Sequence, residues 1–407
     1  MIRDMTDRFI MPCKACRMSV SAQSKPIRQI VHVIGDGCAA LSLAARVDQM
    51  PHHRLTLVHP DGAPPRQDHI WGFWQIDGLE AAAELARHKW TCWRIATAEG
   101  EALLASEKHA YHALQRSQWE SHCSDSARSH GVNFVSQKKL KDVAAAQILD
   151  SRPPAIPAGQ MIQHFIGWEV TAPSGSFDPT QAILMDFRCD QSRGIHFIYL
   201  LPFDDRTALV ESTMFAPHRE PDIFFETAIT HYLAAQCGVT KFTTRRTEAG
   251  AIPLGRLPRS SSAMIGLGGN GGAIRPSSGY AFAFIQKQIT DIIARAGQTA
   301  AMTDRGGPLA VRSPHKPVDL WMDEVFVVVL RHWPARSPEL FLRMARALDG
   351  DEFALFLSGE AGWALRFKVI LAMPKWIFIK AVCRLIIGSS KPGASRMVSP
   401  SSKRKGA

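Results

Sequence analysis

Residues 29–40, with the sequence QIVHVIGDGCAA, indicate the fold of this chain more strongly than any other stretch. The β-branched run Ile30–Ile34 is typical of a buried strand, and Gly35 ends it. Small and apolar residues over 38–49 predict a helix, and Arg54–Val58 predicts a second strand. This order of strand, turn, helix and strand predicts an α/β protein with a Rossmann-like parallel sheet.

The turn Gly35-Asp36-Gly37-Cys38-Ala39-Ala40 has the G-x-G-x-x-A spacing of dinucleotide-binding folds. Gly35 permits the tight turn, Gly37 lets a pyrophosphate approach the backbone, and Ala40 allows close packing of the helix on the strand. An acid that binds the ribose usually ends the second strand, but His59 occupies this position. We expect the nearby Asp61 to make that contact instead.

A second glycine-rich loop, GGNGGAIRPSSGY, occupies residues 268–280 between an apolar run and a predicted helix. Two such loops favour one long cofactor contacted at two points. FAD fits this pattern better than NAD because its pyrophosphate and its ring system need separate binding sites. A surface loop without a ligand is the alternative. If the loop binds the cofactor, we expect contacts from Gly269, Gly272, Pro276, Gly279 and Tyr280.

The middle third of the chain contains short strand-like runs separated by Gly, Asp and Pro. These runs predict an antiparallel β-sheet inserted at about residues 155–245. We expect this insertion to bind substrate and to interrupt an FAD-binding domain over residues 28–310. The pattern over 311–390 predicts a helical C-terminal region. Residues 1–27 predict a flexible arm, and 391–407 form a basic tail.

Composition and charge limit the possible partners. The net charge of +11 suits anionic partners, although no basic stripe or recognition helix indicates nucleic acid. The eight cysteines fit neither a disulfide framework nor a tetrahedral metal site, so we expect reduced thiols, no metal and a cytoplasmic location. The N-terminus lacks the apolar core of a secretory signal, and no run of about 18 apolar residues predicts a membrane-spanning helix.

Candidate catalytic chemistry lies in two apolar segments. Glu211 stands in the strand-like run Leu209–Thr213, where burial would raise its pKa and let it donate a proton near neutrality. An outward-facing Glu211 in an alternating strand is the competing interpretation. Trp71, Phe73 and Trp74 are candidates for the lining of an apolar substrate tunnel, because aromatic faces stabilise cations. Ordinary packing is the alternative for these rings.

These segments together resemble the flavoprotein lycopene cyclases, in particular the bacterial lycopene β-cyclases. The resemblance extends from Ile30 to about Lys380 and rests on segments that occur in the family's order. They are the turn at 35–40, HIWGFW at 69–74, Tyr111 with Arg116, DSR at 150–152, MDFR at 185–188, VEST at 210–213, the region around Ile252 and Pro253, RPSSGY at 275–280, and the helical segments at 322–326 and 356–358.

The resemblance implies an isomerase (intramolecular lyase) of carotenoid biosynthesis, which cyclises the acyclic ends of lycopene to β-rings by acid catalysis. It implies that Glu211 is the acid, that Asp186 and Arg188 shape its surroundings, and that Arg116 is among the FAD contacts. Reduced FAD would assist without net redox change, with NAD(P)H as its reductant. The position after Glu211 is usually a second acid in the family and is Ser212 here.

The resemblance also implies a peripheral enzyme at an anionic membrane surface, because its carotene substrate is dissolved in membranes. Other carotenoid-pathway enzymes are possible partners. Residues 363–387 combine apolar, aromatic and basic side chains as an interfacial helix does, although a core helix pair is the alternative. Two further functions stay open. One is an FAD-dependent oxidoreductase or monooxygenase acting on an isoprenoid or aromatic substrate, and the other is a non-catalytic carotenoid- or lipid-binding protein.

Overall fold

The structure is a computed structural model that describes residues 28–63, 66–140, 146–257, 264–303 and 305–389. The expected arm at 1–27 and basic tail at 391–407 lie outside these ranges. The strands are, in chain order, β1 (Gln29–Ile34), β2 (His53–His59), β3 (Ile70–Trp74), β4 (His88–Trp90), β5 (Cys92–Thr97), β6 (Gly100–Ala105), β7 (Tyr111–Gln115), β8 (Asn133–Ser136), β9 (Gln147–Asp150), β10 (Ile162–Thr171), β11 (Gln181–Asp186), β12 (Ile195–Pro202), β13 (Thr207–Ala216), β14 (Thr243–Pro253) and β15 (Ile265–Gly266).

Five helices alternate with the strands, and five more fill the C-terminal part of the described chain. They are α1 (Cys38–Ala44), α2 (Glu80–Glu84), α3 (Arg116–Ser129), α4 (Asp222–Cys237), α5 (Phe282–Thr303), α6 (Pro317–His332), α7 (Ser337–Ala347), α8 (Gly350–Leu357), α9 (Trp363–Ala372) and α10 (Lys375–Ser389). Within the described ranges, none of these helices is long and apolar enough to cross a membrane.

The first sheet is parallel and has the order β15-β9-β1-β2-β8 among the described residues. Strand β1 lies at its centre and is buried from Val31 to Ile34, as its β-branched residues predict. Leu43 of α1, Trp119 of α3 and Ile289 of α5 pack in the same apolar core. The predicted α/β fold with a Rossmann-like parallel sheet is confirmed.

The second sheet has the order β14-β10-β13-β12-β11-β5-β6 in the part of the chain that the structure describes. It is antiparallel except for the parallel pair β5 and β11. The expected insertion supplies β10 to β13, whereas β14 runs on to Pro253, and β5 and β6 come from the segment before the insertion. Helix α4 covers one face. The other face packs against the sheet β3-β7-β4 and the C-terminal helices.

Two buried ion pairs hold the C-terminal helices in place. Arg275, which precedes α5, has its Nε 3.2 Å from Asp323 Oδ2 on α6. Arg366 on α9 has its Nε 2.7 Å from Asp319 Oδ1, also on α6. These four side chains are no more than 7% exposed. Helix α6 is therefore tied both to the loop before α5 and to α9.

We predict that Arg366→Met destabilises the fold by about 3–5 kcal/mol, because it leaves the Asp319 carboxylate buried without its cation. Guanidinium denaturation followed by tryptophan fluorescence measures the effect. The matched control is Arg343→Met, which removes an exposed ion pair with Glu339 and is expected to cost less than about 1 kcal/mol. Equal losses in both variants would show that the buried pair does not hold these helices together.

Candidate active site

The turn at residues 35–40, which we name the nucleotide turn, lies where the sequence predicted it. Gly35 has a φ of 104°, a conformation that favours glycine, and a Cβ there would collide with the Ser151 hydroxyl. Gly37 is the N-cap of α1, and its backbone is open, since a Cβ would come no closer than 4.0 Å to Glu120. Ala40 is fully buried, as close packing of α1 on the sheet requires.

A cavity of about 1270 Å³, which we name the nucleotide cavity after the turn, opens beside this turn. Its walls include the turn itself, the end of β2 at His59, the loop residue Asp61, Arg116 at the start of α3 and Gly269 of the second glycine loop. Cavities for smaller ligands usually measure about 300–1,000 Å³, so this one has room for an extended dinucleotide. The pyrophosphate and ribose of such a molecule would meet the turn and the end of β2.

A charge network surrounds Asp36 at the edge of this cavity. His59 Nδ1 lies 2.8 Å from Asp36 Oδ2, and Arg66 forms ion pairs with both Asp36 and Glu120. An unpaired carboxylate in the turn would repel a pyrophosphate, so the Arg66 charge makes the site more favourable for an anion. Asp61 is exposed and lines the cavity together with His59, so either side chain can hydrogen-bond a ribose.

The second glycine loop leads from the cavity into the protein interior. Gly269 lines the cavity, whereas Gly272 is exposed, with a φ of 78°, and ends the turn over 268–271. The Gly255 N–H donates to the Pro276 carbonyl at 2.7 Å, and a Cβ on Gly279 would lie 2.6 Å from the side chain of a residue on β10. Gly272, Pro276 and Gly279 therefore lie behind the cavity wall and shape the loop, and their expected contacts with a cofactor stay predictions.

Two glutamates face each other across β10. Gly167 on β10 pairs with Glu211 on β13 and with Glu248 on β14, so the two glutamate side chains lie on the same face of the sheet. A Cβ on Gly167 would lie 3.1 Å from Glu248 Cγ and 3.4 Å from Glu211 Cβ. Arg246 Nη1 donates to Glu248 Oε2 at 2.9 Å, and the Thr213 hydroxyl donates to Glu211 Oε1 at 2.6 Å.

The two carboxyls differ in protonation and access. Burial raises the pKa of Glu211, and the Glu248 carboxyl raises it further. Burial also raises the pKa of Glu248, but Arg246 and the Ile70 amide favour its ionised form. Glu248 is 2% exposed, whereas Glu211 keeps part of its surface accessible. These partners favour the negative charge on Glu248 and the proton on Glu211, and Glu211 is the carboxyl with accessible surface.

Three tyrosines lie beside Glu211. Tyr199 on β12 is directly opposite it in the strand register, and the Tyr199 hydroxyl forms a hydrogen bond with that of Tyr111. Tyr280, at the end of the second glycine loop, packs edge-on against Trp74 and lies close enough to Tyr111 and Glu211 to interact with them electrostatically. A Cβ on Gly72 would collide with the Tyr111 hydroxyl, so this glycine leaves the space in which the tyrosine hydroxyls meet. Aromatic rings beside a protonated carboxyl can stabilise a cation that the acid creates.

The side chains of the three predicted tunnel residues lie on two different faces of β3, because successive side chains of a strand point to opposite faces. Trp71 lines the nucleotide cavity and stacks on Phe282 at a ring distance of 5.3 Å. Phe73 faces the same side and is buried in the core. Trp74 faces the other side, where it packs on Tyr111 at a ring distance of 4.7 Å. The expectation that these three residues line one tunnel is corrected accordingly.

Asp186 and Arg188 lie on the face of the second sheet that is opposite Glu211. Asp186 is fully buried and pairs in register with Ile198, whose side chain packs in the core beneath α4. The Tyr232 hydroxyl of α4 donates to the Asp186 carboxylate at 2.9 Å, and Arg188 Nη2 lies 2.6 Å from Asp186 Oδ2. The expectation that these two residues shape the surroundings of the acid is corrected, because Asp186 binds α4 to the sheet and Arg188 pairs with Asp186.

Ser212, which follows Glu211, also faces away from the acid. Its hydroxyl is fully buried and lies 2.8 Å from His196 Nε2. Side chains alternate along β13, so an acidic residue at this position would point toward α4 rather than into the site. The departure from the family pattern at Ser212 therefore leaves the surroundings of Glu211 unchanged.

Sequence analysis missed Glu248, Tyr199 and the glycines Gly72 and Gly167. Glu248 carried a usable signal, because a charged residue that precedes the apolar run 249–254 must be paired if the run forms a buried strand. Gly167 pairs with strands that are distant in the sequence, whereas Tyr199 faces Glu211 across the hairpin of β12 and β13, whose register the sequence pattern did not indicate. Among the described residues, no group of His, Cys, Asp and Glu side chains could hold a metal ion.

A second, apolar cavity of about 470 Å³ lies among α6, α7, α9 and α10. Its walls include Ser278 of the second glycine loop and the exposed residues Trp321, Ile370 and Ile379. The surface beside it, which we name the C-terminal apolar patch, consists of four side chains that are 56–71% exposed: Trp363, Phe367, Leu371 and Trp376. Basic residues lie between them at Lys368 and Lys375.

The fold and the site together define an α/β protein with a Rossmann-like parallel sheet, a cavity beside its first glycine turn and a glutamate pair on its second sheet. A geranylgeranyl bacteriochlorophyll reductase-like protein from Thermoplasma acidophilum has a similar structure, with a TM-score of 0.55 and 13% identity over 88% of this chain and 99% of its own. A flavin-dependent monooxygenase, solved with FAD and substrate, has a TM-score of 0.50 and 13% identity over 89% and 72%. At these identities the likeness shows the fold alone.

The chain belongs to the lycopene cyclase protein family, whose model matches residues 30–379. The lycopene beta-cyclase of Pantoea ananas is 25% identical over 379 residues, which cover 84% of this chain and 94% of that protein. The lycopene beta-cyclase of Pseudescherichia vulneris is 27% identical over 243 residues, which cover 54% and 61%. The resemblance that the ordered motifs indicated is confirmed.

We predict that Glu211→Gln stabilises the protein relative to wild type at about pH 8 and has little effect at about pH 4.5. The folded-state pKa of Glu211 is raised, so the stability that its neutral form contributes is complete below the unfolded pKa and is lost as the pH rises through the folded one. Glutamine does not ionise and avoids this loss, which is about 1.4 kcal/mol per pKa unit.

Guanidinium denaturation at the two pH values measures this difference. The matched control is Glu107→Gln at an exposed position, which should change stability equally little at both. A Glu211→Gln effect that does not vary with pH would contradict a buried, protonated Glu211.

Proposed function

We propose that this protein is a lycopene β-cyclase, which converts the acyclic ends of lycopene to β-rings and forms β-carotene via γ-carotene. The observation that carries the proposal is the placement of Glu211, opposite Glu248 across Gly167 and opposite Tyr199 on β12, in a chain of the lycopene cyclase family. A redox-neutral cyclisation needs an acid, a dry site and an electron-rich neighbour for the cation. The interior face of the second sheet has residues that can provide the acid and the dry site.

In the proposed reaction, Glu211 gives its proton to C2 of lycopene and positive charge develops on C1. The C5=C6 double bond attacks C1, so the C1–C6 bond forms and the charge moves to C5. Loss of the C6 proton to the Glu211 carboxylate then creates the double bond of the β-ring and restores the acid. No electron leaves the substrate. Tyr199 and Tyr280 border Glu211, and their rings stabilise the transient cation.

We propose FAD as the cofactor of the cavity beside the nucleotide turn, with NAD(P)H as its reductant. The residues fit this group. The backbone is open at Gly37, Arg116 supplies a cation, and Asp61 and His59 offer polar groups for a ribose. A monooxygenase of the same fold was solved with FAD, which supports the proposal. When bound, reduced flavin would supply negative charge that favours a nearby cation. Tyr280 ends the loop that leads from this cavity toward Glu211.

We propose that the C-terminal apolar patch contacts an anionic membrane, so that the enzyme is peripheral to the cytoplasmic side. Exposed Trp363, Phe367, Leu371 and Trp376 would enter the interface, and the neighbouring lysines would meet lipid headgroups. The adjacent cavity of about 470 Å³ has almost entirely apolar walls, which suit a hydrocarbon chain drawn from the bilayer.

We predict that Glu211→Gln abolishes cyclisation in cells that accumulate lycopene, because glutamine cannot give a proton to the substrate, while the purified variant keeps its yellow flavin. Pigment chromatography and the flavin absorbance spectrum measure the two properties. Glu107→Gln is the matched control and should form β-carotene like wild type.

Full cyclisation by Glu211→Gln would contradict the assignment of the acid. In wild type, a product that differs from lycopene in its hydrogen or oxygen count would instead favour the oxidoreductase or monooxygenase. Unchanged lycopene that copurifies with the protein would favour the non-catalytic carotenoid carrier.

We predict that replacing Leu371 and Trp376 by serine weakens binding to anionic vesicles at least about tenfold, because each large apolar side chain contributes about 1.5–3 kcal/mol when buried. Vesicle cosedimentation at low and high salt measures binding, which should weaken as salt rises. The matched control replaces Leu103 and Ile223, which are 60% and 66% exposed elsewhere on the surface. Equal effects of both pairs, or no binding at low salt, would contradict the proposed membrane surface.

A further inference from the structure

Gly167 brings two carboxyls together that lie far apart in the sequence. It is the one residue of β10 that pairs with both Glu211 and Glu248, and its missing side chain leaves the space that they occupy. A larger residue at Gly167 would push against Glu248 Cγ, which lies 3.1 Å from the position of its Cβ. The register of three strands therefore sets the distance between the two acids.

The partners of the two carboxyls are unequal. Glu248 accepts hydrogen bonds from Arg246 Nη1 at 2.9 Å and from the Ile70 N–H at 3.1 Å. Glu211 accepts one hydrogen bond, from the Thr213 hydroxyl, among the contacts that the structure describes. A cation and a backbone donor favour a negative charge on Glu248, whereas Glu211 has no comparable stabilisation. The pair thus holds its charge on Glu248 and its proton on Glu211.

We propose that Glu248 is a positioning residue of the cyclase, whose fixed negative charge keeps the neighbouring Glu211 protonated before each ring closure. The inference rests on the proposed function. Glu248 is 2% exposed and is bound on the side of Arg246 and Ile70, so it acts through Glu211 and does not touch the substrate.

The same charge assists the second half of the reaction. Once Glu211 has given up its proton, two carboxylates stand side by side across Gly167. Their repulsion raises the affinity of Glu211 for a proton, which favours removal of the C6 proton from the substrate. The cost is that Glu211 is a weaker acid in the first half of the reaction, when it protonates the substrate. A catalytic acid must be protonated at the working pH before its strength matters, so the arrangement favours turnover near neutrality.

The other groups that face Glu211 do not provide this charge. Tyr199 and Tyr280 are neutral phenols whose pKa values burial raises further. The Thr213 hydroxyl is a hydrogen-bond donor. Arg246 is paired with Glu248 and also with Glu169 on β10, so its charge is largely offset. Asp68 contributes a negative charge nearer to Glu248 and Arg246.

The test is the pH dependence of kcat for the full-length, FAD-loaded enzyme with lycopene in vesicles. We expect Glu248→Gln to shift the alkaline limb of the kcat profile to lower pH by about one unit or more. This shift is about a tenfold loss of activity at a given pH on that limb, and activity should recover at lower pH. Glu248→Asp keeps the negative charge and should leave the limb within about half a unit of wild type. A merely structural role would reduce activity at every pH and would not be rescued by acid.

A second readout does not depend on activity. The infrared C=O stretch of the protonated Glu211 carboxyl, identified by its loss in Glu211→Gln, should titrate at lower pH in Glu248→Gln than in wild type. An unchanged limb and an unchanged titration in Glu248→Gln, or equal shifts in Glu248→Gln and Glu248→Asp, would overturn the inference. If wild type forms no ring but the infrared band behaves as expected, the proposed function fails while the charge relation between the two glutamates stands.

Discussion

A carboxylic acid stays protonated near neutral pH inside a protein only where its surroundings disfavour its charged form. Three strands create this condition here, because their register sets Glu211 and Glu248 on either side of Gly167, away from bulk water. Arg246 then decides which of the two glutamates carries the negative charge. The long pairing of β10 with both neighbours resists the repulsion that a pair of buried acids creates. The rest of the site depends on this arrangement, since it favours the proton on Glu211, the carboxyl that keeps part of its surface accessible.

The second glycine loop connects this acid with the rest of the molecule. It begins beside the nucleotide cavity at Gly269, passes Arg275 and ends at Tyr280 next to Glu211. Arg275 is buried and bound to Asp323, so the loop is fixed on α6 and the C-terminal helices as well. A single segment therefore contacts the nucleotide cavity, the acid and the wall of the apolar cavity.

Local pattern was enough to predict β1, the nucleotide turn, α1 and β2, and it also found β10 to β13 and the C-terminal helices. These elements have strong periodicity or glycine spacing, which is encoded within a few consecutive residues. Strands β3, β5, β6, β7 and β14 were not predicted, because their apolar patterns are short or mixed, and all of them except β6 also pair with a segment that is distant in the sequence. The same limit explains the errors in the site. Which face Asp186, Trp74 or Glu248 occupies depends on strand register, and register is set by pairing between segments far apart in the chain.

The central claim is that a protein carboxyl delivers a proton to the carotene, and solvent deuterium tests it most directly. The enzyme is equilibrated in D₂O, allowed a single turnover with lycopene in vesicles, and the product is examined by mass spectrometry. Proton transfer from an exchanged Glu211 predicts one deuterium for each β-ring formed, with no other change in composition. A cyclised product without deuterium, or one that has lost or gained hydrogen by oxidation or reduction, would contradict acid catalysis of this kind.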